Sequence, residues 1–144
     1  MRGPHPSTAA GFSRWPLWRR WFGFRSERAA ARFLRKRGYR IIAANTADAQ
    51  GEIDLLALDG RTLVVVEVRS SESADVETLA ASVNVPKQRR LSEATLRYLK
   101  RRNLLGRIGV RFDVLAIRWP PGQAPTFWHI PHAFESTGRF QFYN

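Results

Sequence analysis

The sequence predicts an α/β domain in which helices pack on a mixed sheet. A hairpin signal, Asp59-Gly60, lies between the apolar runs at 53–58 and 63–68. Two segments, one following Ser26 and one following Pro86, carry apolar residues at helical spacing. The second falls between the hairpin and a further strand-like run, Val110–Ile117. It therefore acts as a crossover, and the sheet it serves is mixed. A chain of 144 residues suits one domain with a proper core.

Residues 1 to 24 read as a basic, aromatic arm containing Pro, Gly and Ser and ending in Arg14-Trp15-Pro16-Leu17-Trp18-Arg19-Arg20-Trp21-Phe22. It lacks the apolar region and cleavage site of a signal peptide. Its Trp and Arg residues could stack on bases while pairing phosphates, lie in a membrane interface, or pack on the domain, which spans 25–144. Ser26 is the expected N-cap of the first helix and Glu27 suits its first turn. That helix runs to about Arg37 with Ala30, Phe33 and Leu34 inward, and Arg28, Arg32, Arg35 and Lys36 make its outer side basic. Gly38 stops it, and Tyr39–Ala44 is the first strand. After the hairpin, Ser70–Val85 is either a mobile flap or a short helix around Val76–Ala81. Pro86 opens the second long helix, with Leu91, Ala94, Thr95, Tyr98 and Leu99 on one side. Arg90, Arg97 and Arg101 share another, near Lys87, Arg89, Lys100 and Arg102. Strands Val110–Ile117 and Thr126–Ile130 follow, joined by the turn Trp119-Pro120-Pro121-Gly122, and a short turn occupies Pro131–Glu135.

Charge narrows the function. Twenty-four Lys plus Arg against 12 Asp plus Glu give a formal +12, which calls for a polyanionic partner, nucleic acid or an anionic membrane surface. The absence of cysteine removes disulfides and thiolate metal sites and agrees with the cytoplasmic location expected. His5, His129 and His132 form no zinc-protease motif, and there is no phosphate-cradling glycine loop. No stretch approaches the ~18 apolar residues of a membrane span, so integral membrane association is not expected. What remains is carboxylate–metal chemistry or none.

The acids sit on the hairpin. With Asp59-Gly60 as a two-residue loop, Leu58 faces Arg61, Glu52 faces Glu67, and Asp54 faces Val65, diagonal to Glu67. Alternation then places Glu52, Asp54, Glu67 and Arg69 on one side, and Ile53, Leu55, Val64, Val66 and Val68 on the other. Three carboxylates roughly 5–8 Å apart repel one another. A divalent cation with oxygen ligands would relieve the repulsion. Equally, the hairpin end could reach solvent with Arg69 neutralising Glu67. Asp113, inside an apolar strand, is expected to be a satisfied structural group, paired with Arg111 or a backbone amide. His132 is read as a structural hydrogen-bonding residue.

Several motifs now combine: Glu27 in a first helix, Gly-Tyr-Arg-Ile-Ile at 38–42, Gly-Glu-Ile-Asp-Leu at 51–55 and Val-Glu-Val-Arg at 66–69. Val-Pro-Lys-Gln-Arg-Arg-Leu at 85–91, Arg-Phe-Asp-Val at 111–114 and His-Ala-Phe at 132–134 continue the series. Over about residues 25–135 the chain resembles the bacterial YraN family of uncharacterised proteins. That family is similar to the PD-(D/E)XK nuclease superfamily, notably archaeal Holliday-junction resolvases. The resemblance implies a restriction-endonuclease-like core (α-β-β-β-α-β) with its site on the second and third strands. It matches Asp54 to the motif aspartate, Glu67 to the second acid, Arg69 to the lysine position and Glu27 to the first-helix glutamate, while Glu52 belongs to the YraN pattern. It further implies Mg²⁺ (or Mn²⁺) held by Asp54, Glu67 and the Val68 carbonyl, with Glu52 beside them. Arg28, Arg32, Lys87, Arg90, Arg97 and Arg101 would bind nucleic acid, expected to be DNA, and resolvase-like enzymes act as homodimers. Arginine in place of lysine cannot serve as a base. The expectations are therefore an endonuclease acting on structured or branched DNA, or a non-catalytic DNA- or RNA-binding protein with a degenerate site. A third expectation is a peripheral membrane or ribosome-associated protein using the arm.

Overall fold

The computed structural model describes residues 17–48 and 50–136, with side chains from Arg25 onward. Helix α1 (Leu17–Lys36) leads into β1 (Arg40–Asp48), β2 (Gly51–Asp59) and β3 (Thr62–Ser71). Helices α2 (Val76–Ala81) and α3 (Val85–Arg101) precede β4 (Gly109–Arg118) and β5 (Thr126–Phe134). The five strands form one sheet in sequence order. Only β3 and β4 run parallel, in register from Thr62↔Gly109 to Ser71↔Arg118, and the other neighbours are antiparallel. A parallel pair needs a crossover, which α2 and α3 supply. This is the mixed α/β architecture expected, consistent with a restriction-endonuclease-like fold.

The sheet is covered on both faces. On one, Leu91, Ala94, Tyr98 and Leu99 of α3 pack against Leu56, Leu63, Val65, Val110 and Phe112. On the other, Ala30, Ala31 and Leu34 of α1 pack against Leu55, Ala57, Val64, Val66, Leu115 and Ile117. The apolar runs of β3 and β4 lack strict alternation because both of their faces are buried.

Caps set the ends of the helices. Gly38 takes φ +94°, and the bonds from Gly38 N–H to Arg35 O and from Tyr39 N–H to Leu34 O make a Schellman closure. Asp75 caps α2 by accepting from Thr78 N–H, so the ambiguous segment does contain the short helix. Asn84 caps α3 by accepting from Lys87 N–H.

Three boundaries differ from expectation. Helix α1 begins at Leu17, so Ser26 is inside it and the expected arm boundary at 24 falls mid-helix. Between Pro16 and Ser26 only Gly23 weakens helix formation, and the Ser26 hydroxyl instead donates to Ser70 Oγ at 2.8 Å. Residues 1–16, including Arg14-Trp15-Pro16, lie outside the described residues. Strand β1 continues past Ala44 because Thr46 and Ala47 pair with Ile53 and Glu52. Strand β5 absorbs the expected turn at Pro131–Glu135 as far as Phe134. As an edge strand it tolerates Pro131, and its register shifts between Phe112 and Val114.

Candidate active site

The β2–β3 turn is Gly60-Arg61, closed by Asp59↔Thr62. Gly60 has φ +62° and Arg61 has no positive φ, so the glycine occupies the first central position, which suits a type II′ turn. The register is thereby two residues away from the expected one. Leu58 faces Leu63 and Leu55 faces Val66; carried one residue further, this register sets Asp54 opposite Glu67, in place of the pairs Glu52–Glu67 and Asp54–Val65. A two-residue slip preserves the side each residue takes, so Asp54 and Glu67 still meet.

The ladder stops at Leu55↔Val66. There Val68 N–H donates to Asp54 Oδ2 at 2.9 Å, a side chain standing in for a backbone acceptor. Ile53 packs in the α3 layer and Leu55 in the α1 layer. Alternation therefore breaks at Asp54: of the core side expected for Ile53, Leu55, Val64, Val66 and Val68, all but Ile53 share the α1 layer. The acids gather at this strand end, which both helical layers reach: Glu27 comes from α1, Glu52 and Asp54 from β2, Glu67 from β3, and Lys87 from α3.

Glu67 is 3% exposed. Its Oε2 lies 3.2 Å from Arg69 Nη2 and 3.6 Å from Lys87 Nζ, while its Oε1 is buried with no hydrogen-bond partner. Oε1 of Glu27 and Oε1 of Glu52 are buried and unpartnered as well. Burial first, and the Asp54 charge second, push the Glu67 carboxyl up to about 8 despite the two cations. The same causes push Glu52 up to about 7, against the opposing charge of Lys87. Glu27 is raised well above the carboxylate range by burial, then by Asp54 and Glu52. Two monovalent cations thus leave this cluster short of positive charge.

Among the described residues, no group of three or more His, Cys, Asp or Glu side chains surrounds a single point as a closed metal cage would. Mg²⁺ asks for less, often one or two carboxylates with waters completing the octahedron. The unpartnered, buried Oε1 of Glu67 beside Asp54 fits that donor chemistry.

The expected nucleic-acid contacts divide between the two faces of the sheet. Arg28 and Arg32 are exposed on α1, and Arg90 is exposed on α3. Lys87 turns to Glu67. Arg97 is clamped to Asp48 by Nε (2.6 Å) and Nη2 (3.2 Å), with Arg101 3.4 Å from the same carboxylate. Those bonds outweigh the burial that opposes ionisation and hold Asp48 below its usual range. Hence the basic side of α3 is partly neutralised by β1.

A residue without an expected role is Asn45, which is buried in β1 at φ +54°, favours ionisation of Glu27 and has its Oδ1 buried without a partner. Asparagine is among the few residues other than glycine that tolerate this backbone region, and that is the one signal the sequence offered.

The uncharacterised protein family UPF0102 matches residues 26–117. The chain belongs to UPF0102. Its relatives include UPF0102 proteins of Rhodopirellula baltica (44% identical over 125 residues, 84% of this chain and 74% of the relative) and of Geobacter sulfurreducens (42% over 113 residues, 78% and 88%). A UPF0102 protein of Treponema pallidum is 39% identical over 111 residues, covering 76% and 88%. UPF0102 is the YraN family and a member of the PD-(D/E)XK-like nuclease superfamily.

The UPF0102 match covers Glu27, Asn45, Glu52, Asp54, Glu67, Arg69 and Lys87, and it also takes in Asp113. Asp113 is fully buried and satisfied, as expected, by Arg111 (2.9 and 3.0 Å) and by the His132 N–H (2.9 Å). His129 adds a contact of 2.7 Å. Arg111 also reaches Asp59 and Tyr39, so this network fixes β5 to the sheet. No helix among the described residues is long and apolar enough to cross a membrane.

Proposed function

We propose that this UPF0102 chain is a metal-dependent endonuclease that hydrolyses phosphodiester bonds in structured or branched DNA. The observation that carries the reading is Glu67: a buried acid with an unpartnered oxygen, set beside Asp54 at the end of a β2–β3 ladder in a strongly basic protein. Mg²⁺ or Mn²⁺ would be held by Asp54, Glu67 and the Val68 carbonyl, supplying water activation and charge stabilisation at phosphate. Asp54 is oriented by its bond to Val68 N–H. Glu27, buried beside the cluster with its Oε1 unpartnered, would complete the outer coordination or position water. Arg69 anchors Glu67 and offers its remaining N–H groups to a phosphate oxygen. Exposed Arg28, Arg32 and Arg90 fix the nucleic-acid backbone, giving affinity with little sequence information.

A second reading is favoured by one contact. Arg69 already lies 3.2 Å from Glu67, and a guanidinium fixed there could leave a degenerate site that binds DNA or RNA without cutting it. Incubating the protein with Mg²⁺ or Mn²⁺ and junction, flap and single-stranded substrates separates the two. Cleavage abolished by Glu67→Ala supports the first reading. No cleavage by the native chain, with activity gained in Arg69→Lys, supports the second.

A further inference from the structure

The two cations on Glu67 are tied to it differently. Arg69 lies two residues along the same strand, and its Nε is buried without a partner although its side chain as a whole is 30% exposed. Lys87 arrives from the first turn of α3. Its backbone is fixed by Asn84 (3.0 Å), and its Nζ stands 3.6 Å from Glu67 Oε2, farther than the 3.2 Å of Arg69 Nη2. That exceeds the ~2.8 Å of a charge-assisted hydrogen bond. Charge, not a directional bond, holds the ammonium there. The Lys87 charge favours ionisation of both Glu67 and Glu52. Lys87 therefore lies where a cation shared by both strands would relieve both acids.

We propose that Lys87 is a stand-in for the divalent cation: its ammonium neutralises the acid cluster in the free protein and swings to a phosphate oxygen when nucleic acid arrives, releasing the acids to the metal. This rests on the nuclease reading of the same site and adds a mode of regulation to it. A compact ammonium on a flexible four-carbon stem suits such a movement better than the planar, pre-organised fork of Arg69. The phosphate, not the ammonium, gains from this place, because the first turn of α3 carries the positive end of the helix dipole. Arg69 stays on Glu67 throughout. Metal and polyanion should then bind with positive coupling, and linkage makes that coupling reciprocal.

Titrating Mn²⁺ into the full chain, with free Mn²⁺ read by electron paramagnetic resonance, tests this without any turnover. Wild type, Lys87→Gln and Lys87→Arg are compared alone and with a phosphorothioate-linked DNA duplex that resists hydrolysis. Without DNA, Lys87→Gln should bind Mn²⁺ some 5- to 150-fold more tightly than wild type, a usual range for coupled sites, and Lys87→Arg should stay close to wild type. DNA should tighten Mn²⁺ binding to wild type by a similar factor and to Lys87→Gln by far less. Equal Mn²⁺ affinity in wild type and Lys87→Gln, or an equal effect of DNA on both, overturns the role of Lys87 and leaves the nuclease reading standing. No Mn²⁺ uptake by any of the three proteins, with or without DNA, overturns that reading and this one together.

Discussion

Replacing Glu67 with glutamine should make the metal-free protein more stable at neutral pH and flatten its pH dependence. In the unfolded chain this carboxyl ionises near 4.5; in the folded protein it is pushed up to about 8 by burial and by Asp54. A raised folded value means that the stabilisation is complete below 4.5 and is lost as pH rises toward 8. Each pH unit in that window costs about 1.4 kcal/mol for one proton. Between pH 4.5 and 7 the acid should therefore cost the fold on the order of 3 kcal/mol, a sizeable part of a typical domain stability. Glu52 and Glu27 act in the same direction and remain in the variant, so the slope should diminish without vanishing. Asp113, whose carboxyl is lowered by His129 and Arg111 against its own burial, acts oppositely and only at more acidic pH. Urea unfolding with EDTA present, from pH 4.5 to 8.5, gives both curves. Parallel curves for wild type and Glu67→Gln would refute the electrostatic account of the cluster.

Other consequences follow from the same contacts. Asp113→Ala strands Arg111 and His129 without their shared acid, and should cost about 3–5 kcal/mol in urea unfolding, as breaking a buried pair does. At Asn45, where φ is +54°, glycine should be tolerated better than alanine by about 1–2 kcal/mol in the same assay. Arg28→Ala and Arg32→Ala should each lower the salt-dependence slope of DNA binding by about one, measured by fluorescence anisotropy between low and moderate salt. Arg97→Ala should change that slope less, because Asp48 already holds Arg97.

Helix and strand identities were readable from local pattern, since each depends on spacing within a few residues. The start of α1 was not. Ser26 carries the chemistry of an N-cap, yet the residues before it do not stop a helix, and its hydroxyl finds Ser70 instead. The Asp59-Gly60 signal located the hairpin but not its register, because glycine can take either central position of a two-residue turn. Asp54 and Glu67 survived that error, since a slip of two residues keeps their sides unchanged. Reversal of packing between Ile53 and Leu55 was invisible to an argument that assumes regular alternation. Lys87 on Glu67 and Asp48 on Arg97 join residues 20 and 49 positions apart in the sequence; the first depends on how a crossover helix returns to the sheet, the second on how far β1 extends. No local pattern encodes either.

The central claim is that Asp54 and Glu67 together hold a divalent cation, and calorimetric titration of Mn²⁺ at pH 7 into wild type and Asp54→Ala tests it most directly. One Mn²⁺ per chain should bind with release of protons from the raised acids, visible as heats that vary with the ionisation enthalpy of the buffer, and Asp54→Ala should lose that binding. Absence of Mn²⁺ uptake by the native chain, or uptake unchanged in Asp54→Ala, would contradict the claim.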